Sequence, residues 1–185
     1  MKPGSWLKRS LLVALVIFGS WLGLLLALLM HEPWVAIDAY STGAYPGIPK
    51  PVAGAFLKWA PYDPDFKVLG TQPLLHFACA IYGRAGTDRE NSILAVRSLV
   101  SRGAEIDSRV TGMTSLHEAI LYSIEDRNTE LVRALLELGA NPKLKISRPG
   151  TRMNDLTAIE YADLLRKRHP TEMRPVVDLL RKPAI

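Results

Sequence analysis

Apolar and polar residues alternate along this chain in three distinct regimes. From Leu11 to Met30 the segment LLVALVIFGSWLGLLLALLM contains no charge. At about 1.5 Å per residue a helix of that length matches the roughly 30 Å hydrocarbon core of a bilayer, which predicts one transmembrane helix over 11–30. Residues 31–69 have no such run. They combine Pro33, Pro46, Pro49, Pro51, Pro61 and Pro64 with Trp34, Tyr40, Tyr45, Phe56, Trp59, Tyr62 and Phe66. Proline at this density blocks long helices and central strands, while a flexible linker is polar and poor in aromatics. The expectation is an ordered, irregular segment packed on the following domain, with one short helix over Val52–Ala60. From residue 70 to 185 apolar positions recur at helical spacing, as in Leu116 with Ala119 and Val132 with Leu135 and Leu136.

The flanks of the apolar run set an expected orientation. Lys2, Lys8 and Arg9 precede it, His31 and Glu32 follow it, and the next basic residue is Lys50. By the positive-inside rule residues 1–10 stay in the cytoplasm and the rest crosses. Trp6 and Trp34 bracket the run, where aromatic rings suit the two interfaces. The rival reading is a signal peptide, whose apolar region is usually about 7–15 residues and ends at small residues. This run is longer and ends in Leu28-Leu29-Met30-His31-Glu32-Pro33, so an uncleaved anchor is expected. Gly19 and Gly23 form a G-x-x-x-G pair, a route to a weak homodimer through the membrane helix.

Self-similarity organises the third regime. Gly112-Met113-Thr114-Ser115-Leu116-His117-Glu118-Ala119 is echoed by Pro73-Leu74-Leu75-His76-Phe77-Ala78 and by Thr157-Ala158-Ile159-Glu160-Tyr161-Ala162. A second element alternates with it: Val96 to Gly103-Ala104, Val132 to Gly139-Ala140, and Val176 to Leu180. Thr114 can cap a helix with its hydroxyl, and Gly103 and Gly139 can end one in a left-handed cap. These residues resemble the ankyrin repeat, with its G-x-T-P-L-H-x-A-A stretch followed by V-x-x-L-L-x-x-G-A, over roughly residues 70–182. The resemblance implies an all-α solenoid of about three irregular helix-pair repeats, preceded here by a single transmembrane helix. It also implies that His76 and His117 tie loop backbone together. The spacing between units exceeds the family's roughly 33 residues, and the surplus falls in Gly83–Asn91, Glu125–Asn128 and Lys143–Asn154.

The chemistry in the chain favours binding over catalysis. Cys79 is the single cysteine, which excludes an intramolecular disulfide and a multi-Cys zinc site. Its place beside Ala78 reads as a buried, inert thiol. His117-Glu118 lacks the second His of a zinc protease, and no P-loop, G-x-S-x-G, C-x-x-C or G-x-G-x-x-G is present. No enzyme, cofactor or metal is expected. Net charge is +5, from 23 Lys plus Arg and 18 Asp plus Glu. Three of the basic residues and none of the acidic ones precede His31, so the remainder is nearly balanced and no nucleic-acid groove is implied. Lys143, Lys145, Arg148 and Arg152, with Arg166 to His169, read first as a solvated face.

The resemblance implies that a partner protein is held by loop tips and by the inner-helix face. On that basis the contact positions are Phe77, Tyr82, Arg109, Met113, Glu118 and Tyr122, with Arg84, Asp88, Arg89 and Glu90 of the first insertion; packing between repeats is the alternative for Phe77 and Tyr122. The functional expectation is a single-pass module on the periplasmic side of a bacterial inner membrane. Its favoured role is an immunity protein that neutralises a secreted antibacterial toxin, such as a phospholipase, by direct binding. The alternatives are a scaffold or stabiliser of a resident envelope enzyme, a membrane-surface adaptor and, most remotely, a hydrolase.

Overall fold

The computed structural model describes the backbone of residues 4–182 and side chains from Ser10 onward. Lys2 and the side chains of Trp6, Lys8 and Arg9, on which the expected orientation rests, lie outside the described residues. The chain is mostly helical. A long helix α1 (Gly4–His31) leads into a short pair, α2 (Pro33–Thr42) and α3 (Lys50–Trp59). A hairpin of β1 (Lys67–Val68) and β2 (Gln72–Pro73) then introduces α4 (Leu74–Tyr82) and α5 (Arg89–Ser101). A second hairpin, β3 (Arg109–Val110) and β4 (Met113–Thr114), introduces α6 (Ser115–Asp126) and α7 (Glu130–Glu137). The last pair is α8 (Ala158–Arg166) and α9 (Pro170–Arg181). Within α1, Ser10–His31 is long and apolar enough to cross a membrane or to serve as a signal sequence.

The pairs stack in chain order, with α4 against α6 and α6 against α8 along one row, and α5 against α7 along the other. Small Ala78, Ala119 and Ala162 are fully buried where these helices meet, beside Leu75, Leu116 and Tyr161. Each outer helix of the first two units ends in the same way. Gly103 (φ +99°) and Gly139 (φ +97°) take the left-handed conformation, and the next N–H reaches back five residues, Ala104 to Leu99 at 3.1 Å and Ala140 to Leu135 at 2.9 Å. Those bonds satisfy carbonyls that a helix end leaves without partners.

Residues 31–69 correct the expected irregular segment: they hold two helices, and α3 begins at Lys50 instead of Val52. The prolines do not oppose this, because they lie at helix entries. Pro33 opens α2, and Pro49 and Pro51 flank the first residue of α3, where a missing N–H has no intrahelical partner to lose. The pair then joins the stack through its C-terminal carbonyls. Asn91 Nδ2 donates to Tyr40 O (3.1 Å) and Asp88 N–H to Ser41 O (2.8 Å). Ser98 Oγ donates to Leu57 O (2.8 Å), and the Arg102 guanidinium to Lys58 O (3.2 Å) and Ala60 O. The first repeat therefore caps both helices of the pair, which makes 33–59 a fourth layer of the solenoid.

Candidate protein-binding surface

The hairpins project from the helix stack as fingers. Thr111 (φ +49°) and Gly112 (φ +83°) form a two-residue turn with both central residues left-handed, the geometry that matches the twist of flanking strands. Gly112 is obligatory for a second reason: a Cβ there would stand 1.9 Å from Ser147 O. Ser147 N–H donates to Gly112 O at 2.9 Å, and Arg148 clasps Thr111 O and its hydroxyl. The first finger has one more residue in its turn, Leu69-Gly70-Thr71. Leu69 sits there at φ +50° with 91% of its surface exposed. In the third unit, backbone bonds between Ile146 and residues 155–156 enclose the insertion at 147–154.

Between the first two fingers lies a groove lined by Asp65, Lys67, Thr71, Glu105, Asp107 and Arg109. Two of its carboxylates have structural work. Asp65 Oδ1 accepts the Glu105 N–H and Asp107 Oδ1 accepts the Asn141 N–H, each at 3.0 Å, so each loop is tied to the next by the same bond. Sequence reasoning found Arg109 here but missed Asp65, Asp107 and Leu69. The recurrence of an Asp ahead of each finger, at Asp65 and Asp107, was the signal available for the carboxylates.

The inner-helix histidines anchor this region. His117 is fully buried at the third residue of α6. Its Nδ1 accepts from the Thr114 hydroxyl (2.8 Å) and faces the Thr114 N–H at 3.4 Å, while Thr114 accepts from the His117 N–H, closing a capping box. Burial, reinforced by the Arg109 charge, lowers its pKa to about 4, so the ring is neutral at pH 7. His76 occupies the same place in α4 but reaches outward, with Nδ1 2.8 Å from Glu118 Oε2 and Nε2 3.0 Å from Ser108 O. It thus links the groove residue Ser108 to Glu118 on α6.

The expected contact residues divide. Tyr82, Phe77 and Met113 are buried, which corrects their reading as partner contacts and for Phe77 leaves the alternative of packing between layers. Tyr82 is 2% exposed and its hydroxyl donates to Asn128 Oδ1 (2.8 Å) and Glu130 Oε2 (3.2 Å), joining α4 to the start of α7. Burial raises its pKa to about 12. Phe77 is covered by the edge of Trp34, 5.7 Å away, and by Arg84. The insertion charges are largely committed within the stack. Asp88 caps α5 through the Asn91 N–H and pairs with Lys50 at 3.3 Å, and Arg89 pairs with Asp126 at 2.9 Å. Glu90 and Arg84 remain exposed. Arg84, Glu118 and Tyr122 do come together: Tyr122 lies against Gly83, and burial with the nearby Glu118 raises its pKa to about 12, against the opposing charge of Arg84. Cys79 is fully buried and burial pushes its thiol pKa up, so it is no nucleophile at neutral pH.

A family model described as the ankyrin repeat matches residues 111–146. The chain contains an ankyrin repeat at 111–146. The matched stretch starts on the turn of the second finger, runs through α6 and α7, and stops at Ile146, where the next finger begins. It is one complete ankyrin unit, and the unit on each side of it repeats the finger, inner helix and outer helix. Neither the search of curated proteins nor that of solved structures gave a match. Ankyrin repeats are protein-interaction modules, which agrees with an open finger groove beside a buried, fully packed helix stack.

Proposed function

We propose that this ankyrin-repeat protein is a membrane-tethered module that captures another protein along the groove between its first two fingers. The observation that carries this reading is the groove itself. It presents Lys67 and Arg109 beside Asp65 and Glu105, and Leu69 stands unsheltered on the turn of the first finger that bounds it. Mixed charge favours steering and register, while an apolar tip and the half-buried Tyr122 supply the anchors. The Arg84, Glu118 and Tyr122 cluster extends the surface, joined to the groove through His76.

The tether supports a finer proposal. The charge asymmetry around Leu11–Met30 supports an orientation with the repeats on the periplasmic side of a bacterial inner membrane. A rigid binder held there is suited to neutralise an incoming secreted toxin by direct capture, the role of an immunity protein. The test is titration of the detergent-extracted full chain against a secreted antibacterial toxin, such as a phospholipase effector. Inhibition should be complete near one chain per toxin, and Leu69→Asp should weaken it more than Arg89→Ala. Inhibition far below one chain per toxin, or indifference to Leu69→Asp, rejects capture through this groove. Orientation is tested separately by alkaline phosphatase fused after Ile185, which should be active.

A further inference from the structure

Helix α1 does not end where the folded domain begins. Leu25 and Leu29 enter the core beside α2, while Leu24, Leu26, Leu28 and Met30 stay exposed on its other sides. Two apolar grooves flank this half of the helix. One lies between Leu26 and Met30 of α1 and Ala55 and Trp59 of α3. The other lies between Trp21 and Leu24 and the α2–α3 loop at Pro46 and Gly47. Trp21 precedes His31 by ten residues, about 15 Å of helix axis at 1.5 Å per residue. The apolar span Ser10–His31 has 22 residues, about 33 Å, which leaves little surplus over a core of roughly 30 Å. A helix seated to fill that core carries the Pro46 loop below the level of its own C-terminal end.

The chemistry of the loop and of α3 fits that depth. From Ala39 to Tyr62 there is no acidic residue, and the charges are Lys50 and Lys58. Lys50 is paired with Asp88, and the Lys58 ammonium lies 4.9 Å over the Trp59 ring. Trp59 is itself 73% exposed. Backbone donors in the loop are few. Pro46, Pro49 and Pro51 have none, and the N–H groups of Gly43, Ala44 and Ile48 are bonded to Ala39 O, Thr42 Oγ1 and Tyr45 O at 2.9–3.0 Å. The N–H groups of Tyr45 and Gly47 stay open, so this seven-residue loop loses less on leaving water than one with every donor open.

Resting on the reading of α1 as a membrane span, we infer that the α2–α3 loop and the exposed face of α3 form a lipid-contacting surface, seated in the leaflet from which α1 emerges. Trp59 stands at the headgroup boundary, as amphipathic rings do, and Lys58 extends from it toward water. Because α5 caps the carbonyl ends of α2 and α3, this contact fixes the orientation of the whole repeat stack, and not only its distance from the bilayer.

The test uses the full chain in phosphatidylcholine–phosphatidylglycerol vesicles with an environment-sensitive thiol label. Cys79 is fully buried, so the unaltered chain takes no label under native conditions. Labels are placed singly at Ile17→Cys, Pro46→Cys, Trp59→Cys and Leu69→Cys. Positions 17, 46 and 59 should be quenched several-fold more by nitroxide-bearing lipid than by aqueous iodide, and position 69 the reverse. If 46 and 59 behave like 69 while 17 is quenched by lipid, the span stands and the lipid-contacting surface is overturned. If 17 is also quenched by iodide alone, the span falls and the inference with it. Ala55→Cys, on the same exposed face, replaces Trp59→Cys if that variant does not fold.

Discussion

His76 and His117 stand at the same place in successive repeats and make different bonds, and one residue separates the two cases. The second unit has Thr114 at the helix cap; the first has Pro73. Thr114 offers a hydroxyl and an N–H, and His117 Nδ1 turns to them. Pro73 offers neither, so His76 Nδ1 extends to Glu118 of the next unit. The third unit solves the same problem with a carboxylate: Glu160 Oε2 accepts the Thr157 N–H (2.8 Å) and hydroxyl (2.7 Å). A repeat position thus preserves a backbone geometry, while its side chain serves its own cap or the neighbouring unit according to what the cap supplies.

The largest expected effect probes what the two units share. Leu99 and Leu135 are fully buried and supply the carbonyls for the glycine caps. Leu135→Ala should cost about 2–5 kcal/mol, read as a lowered urea midpoint. Leu99→Ala should fall in the same range, because α2–α3 and α6–α7 enclose the first unit as fully as its neighbours enclose the second. A first unit that tolerates Leu99→Ala with no loss would mean that the N-terminal pair is not a working layer of the stack.

Acid probes His117. The His117 pKa, about 4 in the folded chain against 6.5 for a free ring, means that the unfolded chain binds the proton more readily between these values. Its contribution is full above pH about 6.5 and is lost as pH falls toward 4, a total of about 3 kcal/mol. Urea midpoints should therefore drop through that window, and His117→Gln should flatten the slope there. An unchanged slope would show that His117 does not carry the acid sensitivity.

The fingers provide the next contrast. Gly112→Ala forces a side chain into a left-handed turn and against Ser147 O, and should cost about 1–3 kcal/mol of thermal stability. Gly70→Ala also sits at positive φ, yet a Cβ there meets nothing, so it should cost less. Equal losses would mean that the second finger is not held by the third.

These contrasts track what could be read before the fold was known. The inner and outer helices of the repeats, the cap at Thr114 and the stops at Gly103 and Gly139 were legible because each depends on residues within one turn. Helix α2 was not, because Pro33 reads as a breaker until its place at the first helical position is known. Tyr82 and Phe77 were mistaken for partner contacts because their own helix does not say what covers them. The covers are Asn128, Glu130 and Trp34, from other layers. Leu69 was missed for the converse reason: its turn is visible in the Leu-Gly pair, but its lack of neighbours is not.

The smallest expected effect is the sharpest test of the histidine comparison. Pro73 holds φ −56° and ψ 148°, and Thr114 holds φ −83° and ψ 164°. Pro73→Thr therefore fits the existing backbone and introduces a hydroxyl and an N–H beside His76. If cap chemistry decides the bond, Nδ1 should leave Glu118 for the new threonine, as it does at His117. The bond gained offsets the bond lost, so stability should change by about 1 kcal/mol or less. The ring nitrogen signals should change far more. In the original chain Nδ1 lies against a carboxylate oxygen and Nε2 against Ser108 O, two atoms that accept. In the variant Nδ1 should appear as an acceptor, with the proton left on Nε2 toward Ser108. Nitrogen NMR of the selectively labelled histidine reads that exchange directly. A ring that keeps its Glu118 bond beside a new threonine would show that the link between the two units, and not the missing cap, holds His76 where it is.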